Sequence, residues 1–240
     1  MTTFDDLGIP FPLFKAPIET CPDYVGANYC CVLRERKEHC FRLGTGSWAA
    51  VLCPRCGRDL AATADSLRET TCRVCGASTP PPHDISQGAF VSYEALRAGR
   101  AGFTKDTDFG MISREQMESG WTHGVPDGRF PGMETRTAAE GWLEVRLPKE
   151  TLSELTRTPN FVSWQGDVWL FQGARPMVYI GEWKKRDFEA HCPQGMLPEE
   201  FFRQVLRGYD PRLWQYADNV CIYVFLDGVT GVHAAYYDMD

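Results

Sequence analysis

Two CxxCG knuckles, Cys53-Pro54-Arg55-Cys56-Gly57 and Cys72-Arg73-Val74-Cys75-Gly76, are the residues of this chain that most plainly propose chemistry. Fifteen residues separate Cys56 from Cys72. A CxxC turn lets two thiolates converge on one tetrahedral ion. The glycine that follows tolerates a positive φ and lets the backbone approach a sulfur. Two such turns complete a four-thiolate site, and the spacing fits zinc. Two matched copies argue against a redox role for either. Cys53, Cys56, Cys72 and Cys75 are therefore expected to hold a structural Zn2+. Four thiolates leave no position for a catalytic water, so the metal should hold the fold rather than react. Its binding free energy is then folding free energy.

Eight of the ten cysteines among the 240 residues fall between Cys21 and Cys75; the other two are Cys192 and Cys221. Length and the cysteine-poor remainder exclude a secreted disulfide miniprotein. Cys21, Cys30, Cys31 and Cys40, with His39 beside the last, are spaced less regularly. Either they form a second metal site, or some are buried small apolar residues. The adjacent pair Cys30-Cys31 does not easily share one ion.

Other polar constellations are weaker. Asp106 and Asp108 sit in a polar loop, and His123 follows in another, so a site around residues 104–123 is the enzymatic alternative. The loop lacks the EF-hand pattern and reads first as a solvated turn. Gly44-Thr45-Gly46-Ser47-Trp48-Ala49 has the letters of a dinucleotide loop without its strand, helix and acidic residue. GxSxG, HExxH, P-loop and kinase signatures are absent, and the deaminase His-x-Glu is missing upstream of Cys53. No residue set proposes a reaction, so no catalytic residues are assigned and the expectation is a protein that is not an enzyme.

The net charge of −7 and pI near 5.3 disfavour nucleic acid and anionic membranes and suit a basic partner. Arg34-Glu35-Arg36-Lys37 and Lys184-Lys185-Arg186 read as solvated faces. The remaining alternative is a zinc-dependent nucleic-acid-binding regulator, which would need a continuous basic groove. Met1 to Asp6 shows no secretory n-region or h-region, and no apolar run approaches membrane-spanning length. A cytoplasmic location is expected, where clustered cysteines bind metal more often than they form disulfides.

The elements that must position these residues read as α+β. A four-cysteine zinc-knuckle module over 1–82, ending in Pro80-Pro81-Pro82, precedes a mixed α/β region with short antiparallel strands over 83–240. The two fold as separate domains or pack as one. Ser92 to Arg100 gives a short helix stopped by Gly99. Ser113 and Gln116 form a capping box on a helix ending near Gly120. Trp142 to Leu147 alternates as a half-exposed strand. Lys149 to Thr158 is helical, with Leu152 and Leu155 on one face. Met177 to Gly181 is a strand. Pro198 opens a helix running to Arg207, and Asp210 caps another. Val220–Asp227 and Val232–Asp238 flank Gly228-Val229-Thr230-Gly231 as a hairpin. Phe161, Trp164, Trp169 and Phe171 form an aromatic block with only Arg175 as a basic neighbour, which favours packing over base stacking.

Arg157-Thr158-Pro159-Asn160-Phe161-Val162-Ser163-Trp164-Gln165-Gly166-Asp167-Val168-Trp169 resembles the signature of the CbrC-like proteins, R-T-P-x-aromatic-x-x-W-Q-x-x-x-W. Phe11-Pro12-Leu13-Phe14-Lys15 is similar to that family's opening, and Cys53-Pro54-Arg55-Cys56 to its C-P-x-C knuckle. The family is bacterial and associated with colicin tolerance, and members have been suggested as toxin-immunity proteins. The resemblance implies no catalytic residues. With the closed metal site and the acidic charge, it implies a zinc-stabilised cytoplasmic binding protein that neutralises a basic toxin domain.

Overall fold

The computed structural model describes residues 1–27, 39–44, 47–49, 62–63, 70–71, 78–79, 89–126, 128, 130–138, 141–164, 166–208, 210 and 212–238. The chain divides into two units. One, the terminal unit, comprises Met1–Cys21, Asp106–Asp108 and Phe161–Asp240; the other, the middle unit, comprises Pro22–Lys105 and Phe109–Asn160. The boundary expected at 82/83 lies outside the described residues, and so do the two CxxCG knuckles. The observed class is α+β with mostly antiparallel pairing. Among the described residues no helix is long and apolar enough to cross a membrane.

The terminal unit is organised by the expected hairpin. Strand Cys221–Leu226 lies between Val178–Glu182 and His233–Asp238, antiparallel to both. Alternation sends its side chains to two faces. Ile222 and Val224 pack with Ala235 of the neighbouring strand and with Phe188, Phe202, Val205 and Leu213, from the buried face of helices Lys185–His191, Pro198–Val205 and Leu213–Tyr216. On the other side Tyr223 and Phe225 meet Phe161, which stacks on Tyr179 at 4.2 Å and 18°. Burying each such aromatic contributes about 1.5–3 kcal/mol. The N-terminal segment completes this side: Phe14 meets Tyr179 edge-on at 5.2 Å, while Leu13 O and Lys15 N bond the Tyr179 backbone, both at 2.8 Å.

The hairpin turn is held by one side chain. Asp227 accepts from Thr230 Oγ1 at 2.6 Å, Val229 N at 3.2 Å and Arg175 Nη2 at 2.8 Å. The Arg175 guanidinium foremost, then the Thr230 hydroxyl, holds its carboxyl well below the usual range.

In the middle unit, Cys40–Leu43 lies between Tyr24–Gly26 and Ala89–Ser92, and Trp142–Val145 between Val125–Pro126 and Thr135–Thr137. Ser92 caps helix Tyr93–Arg97 through a bond from Ala95 N at 3.1 Å. Ser113 and Gln116 close the capping box of helix Arg114–Ser119, which Gly120 ends at φ 84°. Leu152 and Leu155 are buried on helix Lys149–Thr156.

Lys184-Lys185-Arg186, expected as a solvated face, opens helix Lys185–His191 with Arg186 exposed and the two lysines half-buried: Asp187 accepts the Lys184 N–H at 2.8 Å and Phe188 is buried. Two sequence expectations need correction. Asp210 precedes its helix by a turn, accepting the Arg212 N–H at 2.9 Å. The aromatic block does not all pack inward, because Trp164 is 68% exposed.

Candidate binding surface

Cys53, Cys56, Cys72, Cys75, Cys30 and Cys31 lie outside the described residues. Cys21 is buried in the terminal unit and forms no disulfide. His39 and Cys40 belong to the middle unit. The Tyr24 hydroxyl and His39 Nδ1 are hydrogen-bonded at 2.7 Å. Cys40 is fully buried and disulfide-bonded. Among the described residues no group of three or more His, Cys, Asp or Glu gathers to hold a metal ion.

Asp108 is not a solvated loop carboxylate. Its Oδ2 accepts the Phe171 N–H at 2.7 Å and Arg207 Nη1 at 2.9 Å. Asp106 is exposed on a short strand that pairs parallel with Val168–Trp169. His123 is exposed in the middle unit. The basic run is tied down in part: Lys184 Nζ bonds Val220 O at 2.8 Å and Glu182 at 2.6 Å, and Lys185 Nζ bonds Gln215 O at 3.2 Å.

The segment from Arg157 to Trp169 divides sharply by role. Thr158 Oγ1 donates to Glu154 O at 2.8 Å, and Pro159 is buried. Asn160 offers its N–H to Asp23 Oδ2 at 3.1 Å, and its side-chain oxygen accepts from Lys105 Nζ. Phe161 is in the aromatic stack. Trp169 is fully buried, with Nε1 bonded to Met177 O at 2.8 Å. Trp164 alone among these aromatics projects into solvent.

Trp164 stands on a braced loop. Its backbone N–H donates to Asp238 Oδ2 at 3.1 Å. The Tyr236 hydroxyl donates to Gly166 O at 3.2 Å and accepts the Val168 N–H at 3.1 Å. Burial first, with the nearby carboxylates of Asp238 and Asp167 adding to it, pushes that hydroxyl far above its ordinary range. It therefore stays neutral and able to donate. An exposed indole on a fixed backbone is a preorganised anchor that loses little freedom on binding. Carboxylates at its base suit a cationic side chain laid over the ring.

Charge is divided unevenly between the units. The terminal unit carries 16 Asp and Glu against 8 Lys and Arg, a formal −8, and the middle unit 16 against 17, a formal +1. The chain's acidity therefore resides in the unit that presents Trp164.

The structure thus shows an α+β chain with short antiparallel sheets and an exposed aromatic, held by its backbone, on an acidic unit. A sequence model of the uncharacterised protein family UPF0167 matches residues 119–239, and the chain belongs to that family. The matched span includes the Trp164 loop and begins beyond Cys75. No curated protein and no solved structure matches the chain.

Proposed function

We propose that this chain is a zinc-stabilised, acidic cytoplasmic protein of CbrC-like type that binds and neutralises a basic bacterial toxin domain. Zn2+ on Cys53, Cys56, Cys72 and Cys75 serves the fold, and recognition falls to the terminal unit. The observation that carries this reading is Trp164, its backbone held by Asp238 and its side chain 68% exposed, on the unit whose net charge is negative. Interfaces gain most from a few buried aromatic anchors, and complementary charge accelerates encounter.

The test is co-expression with the toxin domain encoded beside its gene. The wild-type chain should restore growth and co-purify with the toxin. Trp164→Ala should weaken the complex by about 2 kcal/mol or more while the variant stays folded. Raising ionic strength should slow association by screening. If the wild-type chain protects against no neighbouring toxin, the proposal fails.

A further inference from the structure

A second surface lies wholly within the middle unit and is independent of Trp164. Along Trp142–Val145 the side chains alternate, so Val145 is buried while Trp142 stands 46% exposed. Register sets Arg136 opposite Glu144 and Pro126 opposite Trp142. Trp121, bridged to Arg146, lies under two guanidinium groups, Arg136 at 4.3 Å and Arg146 at 5.7 Å. Each arginine also has a carboxylate: Arg136 pairs with Glu144, and Arg146 with Glu134 at 3.6 Å. The face is polar, aromatic and internally neutral.

Beside Trp142 is a cavity of about 440 Å3 lined by His123, Gly124, Ala138, Trp142 and Glu144. Small-molecule sites run from about 300 to 1,000 Å3. Glycine keeps its wall open: Gly124 has φ 57°, and a Cβ there would come 3.3 Å from Trp142 Cβ. Gly110 approaches the same turn so closely that its Cβ would sit 2.5 Å from Gly124 O.

Much of the polar lining of this cavity is uncommitted, unlike Asp108, Asp227 and Asp238, which are engaged in the fold. Among the described residues the His123 ring and the Trp142 indole N–H make no hydrogen bond, and Glu144 spends one oxygen on Arg136. A free carboxylate oxygen, an imidazole and an accessible indole converge on one space. Phosphate is disfavoured by the Glu144 carboxylate. A cation is disfavoured because Arg136 already neutralises that carboxylate. A wholly apolar ligand would strip water from Glu144 and His123 without replacing its hydrogen bonds.

We propose that the groove binds a neutral sugar. The C–H face of a pyranose ring meets the negative face of the Trp142 indole, as aromatic quadrupoles favour. Ring hydroxyls donate to the free oxygen of Glu144 and exchange hydrogen bonds with His123.

The test is titration of the full chain with glucose, galactose, mannose, N-acetylglucosamine and their disaccharides, read by ligand-observed NMR. At least one should bind, with contacts on the C–H face. Trp142→Ala should weaken it about tenfold, whereas Trp142→Phe keeps most of the affinity and controls for folding. Glu144→Gln should change the preference among sugars that differ at one hydroxyl. Trp164→Ala should bind as wild type, so this site and the toxin surface stand or fall separately. The proposal is overturned if no sugar binds at tens of millimolar, if Trp142→Ala binds unchanged, or if choline or adenosine monophosphate binds while the sugars do not.

Discussion

Asp238 holds Trp164 by its backbone, its Oδ2 accepting the tryptophan N–H at 3.1 Å while the indole itself stays in solvent. The end of strand His233–Asp238 thus sets the position of the most exposed tryptophan without covering it. Asp238 is 4% exposed, so removing its oxygen leaves a backbone N–H to find another partner. Asp238→Ala should cost about 1–2 kcal/mol and lower amide hydrogen-exchange protection across 162–168. Asp238→Asn keeps an acceptor and should retain most of that protection. Equal protection in all three proteins would show that the brace does not order the loop.

Asp227 makes the hairpin turn pH-sensitive. Because Arg175 and Thr230 hold its folded-state value below the ordinary 3.8, its contribution is complete above that pH. It is lost as pH falls through the depressed value. Asp227→Asn should therefore lower Tm at neutral pH, and the gap to wild type should close in acid below 3.8. A gap that persists unchanged into strong acid would contradict the carboxylate's role.

Much of this fold is written in short-range signals. Ser92, Ser113, Gln116 and Gly120 mark helix ends through side-chain and φ requirements that act over one turn. The 221–238 hairpin is a pair of apolar, strand-favouring runs around a glycine-bearing turn. What was illegible depends on distance in sequence. Phe161, Trp164 and Trp169 look alike locally, and only their placement against Tyr179, Asp238 and Met177 makes one an anchor and two core. Asp108 reads as a solvated turn because its partners, Phe171 and Arg207, lie 63 and 99 residues away. Lys184 gave no ordinary capping signal; its helix begins because Asp187 reaches back to its N–H. His123 reads as a lone loop histidine, but Trp142 and Glu144, which share its groove, are strand residues about twenty positions further along the chain.

The four-cysteine reading makes a separable prediction. Elemental analysis of the purified chain should find about one zinc bound through Cys53, Cys56, Cys72 and Cys75. Cys53→Ser should lose most of that metal and unfold at lower denaturant, as should chelator treatment of the wild type. If zinc content and stability both survive Cys53→Ser, the site is not built from these thiolates.

Lys105 is 0% exposed, and its ammonium reaches the Asn160 side chain while its charge acts on Asp23. Burial raises the Asp23 carboxyl above its ordinary value, and the Lys105 charge opposes that rise. An acid raised on folding costs stability progressively as pH climbs from 3.8 through the raised value, since the folded state is the one that holds the proton. Lys105→Met preserves volume but removes the opposing charge, so Asp23 should rise further and the cost at neutral pH should grow. We expect a loss of about 2–3 kcal/mol near neutrality, less than for a fully buried pair because Asp23 is only half-buried. The loss should shrink as pH falls through the raised Asp23 value toward 3.8, because a protonated Asp23 needs no cation. Asp23→Asn combined with Lys105→Met removes both charges and keeps an acceptor for the Asn160 N–H. Urea denaturation of the single and double variants at neutral pH and near 3.8 decides it. If the double variant is no more stable than Lys105→Met at neutral pH, the lysine acts through packing and its hydrogen bond, not through Asp23.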